Sequence, residues 1–285
     1  MKKAALLVLL FTVAVLFNVE AVKAESGGDL IEKDLFDTSL TVDYGRRKMK
    51  LDYGKLDVNV GGVLTQTVYT QEYKADVNEF VKPSLTDTIY SAKFVYGIND
   101  YINFFVNLGV IFDEYKDAEP MDVGYKANVG KSEAGIYAGG GLRAGYKFPF
   151  GLYIAGTGMF NMGRVSNYSF NEYEDAFGNI VVISESKNNI YDWEGNLIFG
   201  YDISVSPSFR IIPYFGGRYS DRYSKLELRS SGGNYYYEEY SSKTKFGGFG
   251  GMEFRLTKQL SFKAEVGLGD KTGFGAALTY RFGIE

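Results

Sequence analysis

Asp192 and Glu194 are the residues of this chain whose type and spacing come closest to an acid–base site. Two carboxylates two positions apart on a β-strand share one face, where one can hold a proton while the other accepts one. The chain contains neither His nor Cys, which excludes the commonest general base, thiolate nucleophiles and thiolate metal ligands. We therefore expect Asp192 and Glu194 to balance neighbouring bases, and we expect no catalytic, cofactor-binding or metal-binding residue.

Both carboxylates belong to a larger set of charged residues that alternate with apolar residues along the chain. In a barrel such a set faces inward, where it either tunes ion selectivity in an open pore or pairs and fills the interior. About ten strands enclose little more than their own side chains, and unpaired charges there are costly to desolvate, so we expect the filled interior. The predicted lumen-lining charges are Lys93, Arg143, Lys147, Asp192, Glu194, Asp202, Arg210, Arg218, Lys245, Glu253, Arg255, Lys263, Glu265 and Arg281.

The elements that would position these charges are β-strands with two unlike faces. In the closing segment GFGAALTYRFGIE, apolar residues from Phe274 to Phe282 alternate with small or polar ones, which is the period of a strand. The same pattern predicts nine strands from Asp87 onward, and no segment predicts a helix. One more strand at the front, drawn from Ser39–Tyr44 or from Lys55–Thr70, gives about ten strands, with twelve or eight as the alternatives.

The connections between these strands alternate in length. Short turns are predicted at 97–100, 149–151, 205–208 and 257–259, and a tight return at 269–272; long polar loops are predicted at 71–86, 113–133, 169–188 and 229–243. Short turns at one end and long loops at the other are the plan of an outer-membrane barrel. We expect the long loops to face the outside and both termini to lie in the periplasm.

The apolar faces of the predicted strands are expected to contact lipid. The strands reach about the 10 residues of a membrane-crossing strand, and aromatic residues lie towards both ends of the apolar faces. On β-strand spacing, Phe246 and Phe254 are separated by roughly 26 Å along the chain, near the height of an apolar band after tilting. The opposite face combines Gly with charges of both signs, which suits a lumen. The predicted fold is all-β, a single antiparallel up-and-down transmembrane β-barrel.

The first residues predict export. A basic MKK start precedes the apolar run Ala4–Phe17, and Val22–Ala24 ends in a small residue suited to cleavage; the run is shorter than the roughly 20 residues of a membrane anchor. We assign 1–24 to a signal peptide, 25–37 to a polar periplasmic leader and 38–285 to the barrel. The formal charge of -4 does not favour binding to nucleic acid.

The last predicted strand carries a recognisable pattern, with Gly275, Leu278, Tyr280 and Phe282 at its characteristic positions. Together with the signal peptide and the meander, it resembles the small outer-membrane β-barrel proteins of Gram-negative bacteria, the outer-membrane-protein-A and opacity-protein group. The resemblance implies recognition of these four residues by the barrel-assembly machinery, and location in the outer membrane among its lipids and lipopolysaccharide. It identifies an architecture rather than an activity.

The expected function is that of a non-enzymatic barrel with a closed lumen, acting structurally or through its surface loops, with no cofactor. A narrow diffusion channel for small solutes is the alternative, and an enzyme without His is a less favoured third. Two loop segments could carry a surface role. NYYYEEY at Asn234–Tyr240 clusters tyrosines with carboxylates, as in a sugar-binding or adhesive tip. DEYKDAEPMD at Asp113–Asp122 clusters acids, as in a loose divalent-cation site, although it lacks EF-hand spacing.

Overall fold

The computed structural model describes residues 35–60, 63–69, 84–116, 129–170, 173–174 and 180–283. Over these ranges no helix is long and apolar enough to cross a membrane. The strands, in chain order, are β1 (Leu35–Val60), β2 (Val63–Tyr69), β3 (Ser84–Asn99), β4 (Ile102–Lys116), β5 (Val129–Lys131), β6 (Gly135–Lys147), β7 (Leu152–Ser166), β8 (Ser169–Phe170), β9 (Tyr173–Glu174), β10 (Ile180–Val181), β11 (Ile183–Tyr201), β12 (Ile203–Ser204), β13 (Arg210–Ser230), β14 (Tyr235–Ser242), β15 (Phe246–Arg255), β16 (Leu260–Leu268) and β17 (Thr272–Gly283).

About ten of these strands close into one antiparallel ring, which confirms the predicted all-β barrel and its strand number. The ring runs in chain order through β1, β3, β4, β6, β7, β11, β13, β15, β16 and β17. β17 returns to β1, pairing from Leu35 with Gly283 to Arg46 with Thr272. Closure matters because backbone N–H and C=O groups exposed to lipid have no water to bond, and a ring leaves no open edge.

The first strand is longer than either segment proposed for it. β1 contains Ser39–Tyr44 and also the first part of Lys55–Thr70, so these are parts of one strand and not alternatives. Residues Val63–Tyr69 return along β1 as the short β2. β1 begins at Leu35, inside the predicted leader 25–37, and Asp37 is already buried in the barrel. The predicted signal peptide and residues 25–34 lie outside the described residues.

The strands that form the wall change beyond Arg46, towards the end of the barrel with the long loops, which is called the upper end. There β17 ends, and β14 takes its place beside β1, pairing from Met49 with Ser242 to Asp57 with Tyr235. The other edge of β14 pairs with the upper part of β13. Between β13 and β1 the wall therefore has β15, β16 and β17 in its lower part and β14 alone in its upper part.

This arrangement corrects the prediction for the segment 229–243, which is not a loop throughout. It contains β14, and its tight return lies at 231–234. The upper parts of β1, β11 and β13, together with β2 and β14, rise beyond the neighbouring strands and are called the tall sheet below. Of the predicted loops 71–86, 113–133 and 169–188, the described parts are mainly strand ends and the short strands β5 and β8 to β10.

The outward face of the ring is apolar. Leu108 of β4, Leu197 of β11 and Val266 of β16 are 56%, 51% and 57% exposed, which is unusual for large aliphatic side chains in water. The band extends from Phe36 to Tyr44 on β1 and from Phe274 to Phe282 on β17. In the described strands, outward positions within this band carry no charge. A continuous exposed apolar wall of this kind is the lipid-facing band of a membrane barrel.

Aromatic side chains border this band at both ends. At the end with the long loops, Tyr44 packs beside Phe274, with ring centroids 5.9 Å apart; at the other end, Phe36 stacks on Phe282 at 5.8 Å. On β1 and on β17 the two aromatics are eight residues apart, or roughly 20 Å after strand tilt, which matches the height of an apolar band. Within β17, Tyr280 and Phe282 of the predicted assembly signal face outward in the lower belt and Gly275 is buried.

The first prediction concerns orientation. A Cys at Ser231, in the tight return of the tall sheet, should react on intact cells with a membrane-impermeant thiol reagent, whereas a Cys at Ser208 should react only after the outer membrane is opened. Both serines are exposed, and the chain contains no Cys that would give a background. Labelling of the Cys at position 208 alone on intact cells would reverse the orientation.

The second prediction concerns depth in the membrane. Leu197→Arg, midway between the outward Trp193 and Tyr201 on β11, should lower the free energy of unfolding by about 2–4 kcal/mol, because a charge near the bilayer midplane is poorly solvated. Leu256→Arg, the same change at the short-turn end, should cost about 0–1 kcal/mol. Leu197 is 51% and Leu256 is 45% exposed, so exposure does not separate them. Denaturant titrations in liposomes measure both, and equal costs would contradict the assigned band.

Candidate functional site: the barrel interior

The predicted lumen-lining charges lie at inward positions of the ring, with one exception. Those near the short-turn end are partly exposed: Lys147, Asp202, Arg210, Arg255 and Arg281. The others are buried: Lys93, Arg143, Asp192, Glu194, Arg218, Glu253, Lys263 and Glu265.

Lys245 is the exception, because it faces the outer surface. Its Nζ lies 2.5 Å from Oδ2 of Asp221, which occupies an outward position on β13. Lys245 precedes β15 and belongs to the connection from β14. The alternation of β15 does not extend to residues before Phe246, because those residues form a connection and not a strand. The prediction that Lys245 lines the lumen is therefore wrong.

Arg222 lies at the centre of the interior charges, and its guanidinium is fully buried. Nε donates to both carboxylate oxygens of Asp192 at 3.0 Å, while Nη2 donates to Asp192 and, at 3.1 Å, to Asp87. Arg47 lies 3.6 Å from the same Asp192. These residues come from β1, β3, β11 and β13, so the network joins the walls of the barrel across its interior.

Lys271 reaches this network from the turn between β16 and β17. Its side chain is 1% exposed, and its Nζ lies 3.7 Å from Oδ1 of Asp43 and 3.5 Å from Oδ2 of Asp87. The side chain passes over Gly45 of β1, where any Cβ would overlap its methylene groups. Glycine at this inward position therefore provides the space through which Lys271 enters.

The neighbouring residue of the same turn, Asp270, is also buried. Its Oδ2 accepts a hydrogen bond of 2.6 Å from Ser220, whose hydroxyl oxygen accepts one of 2.7 Å from Arg47. A Cβ at Gly247 would overlap the Asp270 carboxylate, which is a second place where a missing side chain admits the turn. The side chains of this turn therefore enter the interior on the side where three strands give way to one.

A second charged group lies next to the first along β11 and β13. Arg218 stands between Glu194 at 3.9 Å and Glu265 at 3.5 Å, and all three side chains are almost completely buried. Tyr214 donates to Glu265 at 3.1 Å, and Asn196 donates to Glu194 at 2.8 Å. These hydrogen bonds satisfy carboxylate oxygens that would otherwise be buried without partners.

Apolar clusters occupy the interior on both sides of the charged groups. Along β13, Tyr214 belongs to the inner cluster and Leu226 to the outer one, with Arg218 and Arg222 between them. The inner cluster consists of Tyr153, Ala155, Ile198, Ile212, Tyr214 and Phe249. The outer cluster consists of Met49, Leu85, Ile89, Ile111, Tyr115, Tyr137, Val165, Tyr168, Ile190, Leu226, Leu228, Tyr236 and Tyr240.

At the short-turn end the charges pair around the mouth of the barrel. Asp202 accepts from Lys147 at 2.6 Å and from Arg210 at 2.9 Å. Arg281 donates to both oxygens of Asp37, at 2.8 and 3.0 Å, and so ties the last strand to the first. These pairs are partly solvated and contribute less than the buried network does.

The carboxylates proposed as an acid–base pair are held by cations deep in the interior. Asp192 is 2% and Glu194 is 5% exposed, and each contacts a buried guanidinium. Arg222 donates charge-assisted hydrogen bonds to Asp192, and Arg218 forms an ion pair with Glu194 at 3.9 Å. This environment is that of a structural ion pair.

The acidic segment Asp113–Asp122 lies mostly outside the described residues, but its first residue is an interior one. Asp113 is 3% exposed and accepts hydrogen bonds from Tyr168 and, at 3.0 Å, from Asn188. Nearby, the hydroxyls of Tyr115 and Tyr240 are 2.6 Å apart. Among the described residues, no group of three or more acidic side chains has an arrangement that could hold a metal ion.

The tyrosine-rich segment Asn234–Tyr240 divides between the two faces of the tall sheet. Tyr236 and Tyr240 join the outer apolar cluster, while Tyr237 and Glu239 face outward. Burial by itself would raise the pKa of Glu239, but hydrogen bonds from Tyr223 and Tyr237 outweigh it and lower that pKa. The outward Glu239 is therefore kept as an anion at neutral pH.

Several central residues of the network were not predicted. Arg222 and Asp87 continue the alternation of residues that were predicted, so a longer reading of β13 and β3 would have included them. The sequence contains no comparable signal for Asp270 and Lys271, because residues in a turn do not alternate between two faces. Their position inside the barrel depends on how the wall folds.

The fold has known counterparts. The outer membrane protease OmpT from Escherichia coli superposes with a TM-score of 0.50 at 9% identity, over 90% of this chain and 99% of that one. The outer membrane protein OprG from Pseudomonas aeruginosa gives 0.43 at 10% identity, over 90% of this chain and 100% of that one. The β domain of the Bordetella autotransporter BrkA gives 0.40 at 12%, over 88% and 100%.

No model of a known protein family matches the chain. No curated protein sequence matches it either. At such low identities the similarity to solved structures concerns the fold alone, and it agrees with the closed ring and its exposed apolar wall. The chain has the fold of an outer-membrane β-barrel.

The third prediction concerns the passage used by Lys271. Gly45→Ala should lower the free energy of unfolding by about 1–3 kcal/mol, because the added methyl group overlaps the Lys271 side chain in a packed interior. Gly158→Ala is the matched control, since a Cβ there meets nothing within 4 Å and the change restricts the unfolded chain. Denaturant titrations in the same lipid compare the two, and equal effects would contradict the packing described for Gly45.

Proposed function

We propose that this protein is a non-conducting, non-enzymatic barrel whose interior serves as a core and whose functional surface is external. The observation that carries the proposal is the filling of the interior by an apolar cluster, buried ion pairs and a second apolar cluster in succession. A water-filled pathway would need to pass all three. Arg222, fully buried between Asp87 and Asp192, occupies the middle of that path.

The absence of catalysis is part of the same proposal. The carboxylates with the most suitable spacing, Asp192 and Glu194, are buried beneath the tall sheet and held by Arg222 and Arg218. A substrate entering from outside would first have to displace the outer apolar cluster. The outward side of the tall sheet is more accessible, and there Tyr223 and Tyr237 surround Glu239 with their hydroxyl groups. This surface supports a role in binding outside the membrane.

The fourth prediction tests the closed interior by single-channel recording in planar bilayers. The unmodified barrel should give no steady current. Arg218→Ser combined with Arg222→Ser should raise conductance and lower heat resistance together, because removing both guanidiniums leaves buried carboxylates to repel each other and draw in water. A steady nanosiemens-scale current in the unmodified barrel, unchanged by the double substitution, would favour a diffusion channel instead.

Arg210→Ser combined with Arg281→Ser is the matched control. It removes the same number of guanidiniums, but from the mouth of the barrel, where the side chains are 38% and 21% exposed. We expect this control to remain closed. An increase in current equal to that of the interior pair would mean that the buried network does not provide the seal.

A further inference from the structure

We propose that a basic patch on the outer surface, immediately above the lipid-facing band, binds the phosphorylated headgroup of an outer-leaflet glycolipid. The headgroup patch consists of Arg46, Lys48 and Lys50 on β1, with Lys243 and Lys245 in the connection from β14 to β15. The proposal concerns the outside of the wall and does not depend on whether the interior conducts.

The patch follows from the alternation of β1 through RRKMK. Arg47 faces inward to the ion network, so Arg46, Lys48 and Lys50 all face outward, and all three are exposed. At strand spacing they form a ridge roughly 14 Å long, enough to meet more than one phosphate group. Tyr44, two residues below Arg46, is in the aromatic belt beside Phe274. The ridge therefore begins where the hydrocarbon region ends.

The connection from β14 adds its bases to the same surface. The backbone N–H of Lys243 donates to the carbonyl of Lys48 at 2.9 Å, which fixes the connection against the ridge. On the other side, the N–H of Ser220 donates to the carbonyl of Lys245 at 2.7 Å. The exchange of three strands for one thus assembles bases from separate parts of the chain at a single level of the barrel.

The patch carries a surplus of positive charge. Lys50 pairs with Asp52 at 3.1 Å and Lys245 pairs with Asp221 at 2.5 Å, so two carboxylates stand against five bases. Over the described ranges Arg46, Lys48 and Lys243 make no ion pair; the contact made by Arg46 is a 3.4 Å hydrogen bond to Ser84. Hydroxyl groups border the ridge, because the partners of Arg46 across its strand are Thr86 and Thr272. Bases with hydroxyls suit a phosphate ester.

At the same level elsewhere on the barrel, two outward lysines each lie close to a carboxylate. Lys131 lies 3.8 Å from Glu114, and Lys187 lies 3.7 Å from Glu227. On the outward face of β1, Leu40 and Val42 continue the lipid-facing band below Tyr44. One amphipathic molecule can therefore lay acyl chains against these residues and its phosphates on the ridge, which favours a membrane glycolipid over a free anion.

The test compares a diphosphorylated lipid A-type glycolipid with the same molecule after dephosphorylation, bound to the purified barrel in detergent and counted by native mass spectrometry. The barrel should retain the phosphorylated form, and Arg46→Gln, Lys48→Gln and Lys50→Gln together should weaken its retention about tenfold or more. Retention of the dephosphorylated form should be weak and unaffected by that variant. Raising the salt concentration should act in the same direction as the variant.

The matched control is Lys131→Gln, Arg164→Gln and Lys187→Gln, which removes as many outward charges at the same level elsewhere on the barrel. It should change retention by less than about twofold, since surface pairs contribute little individually. A charge-preserving variant, Arg46→Lys with Lys48→Arg and Lys50→Arg, should retain the phosphorylated glycolipid. Equal losses in the patch and control variants would overturn the proposal. Equal retention of both glycolipids by the unmodified barrel would also overturn it. That comparison does not depend on the folding of any variant.

Discussion

The narrow interior of a ten-stranded ring is the constraint on which the other features of this molecule depend. Such a ring encloses little more than the side chains of its own walls, so inward charges on different strands come within reach of one another. Arg222 contacts Asp87 and Asp192 from β3 and β11, and Arg218 contacts Glu194 and Glu265. Because a buried charge without a partner is costly, these contacts restrict which strand registers are compatible with a stable barrel.

The exchange of β15, β16 and β17 for β14 in the upper wall connects the interior with the outer surface. A wall that loses strands towards one end becomes narrower there, and the turn between β16 and β17 is left facing the interior rather than water. Lys271 and Asp270 enter the ion network from this turn because Gly45 and Gly247 leave room for them. The same exchange presses the connection carrying Lys243 against Lys48 on the outer surface.

The outer surface therefore has two regions with different physical chemistry. The apolar band is uncharged and bordered by aromatic pairs such as Tyr44 with Phe274, as contact with hydrocarbon requires. Immediately above it, many outward positions carry charged residues. On the tall sheet Lys225 and Glu239 lie 3.6 Å apart among tyrosines, whereas the ridge from Arg46 to Lys50 is dominated by bases. Under the proposed closed interior, these external regions are the surfaces that remain available for recognition.

The sequence by itself determined the barrel, because a strand period of two with one apolar and one polar face leaves few other folds. It predicted about ten strands, the two aromatic ends of the band, and inward positions for charges such as Asp192 and Arg218. These properties are local, since each depends only on which side of its own strand a residue occupies.

Only the tertiary structure decided the features that do not follow from the alternation of a single strand. The continuity of β1 through Ser39–Tyr44 and beyond, the pairing of β14 with β1 and the outward position of Lys245 depend on partners far away in the chain. So does the entry of Lys271 into the interior. The physical reason is that alternation assigns a residue to a face of its strand, whereas the partner strand and the path of a turn depend on how the closed ring packs.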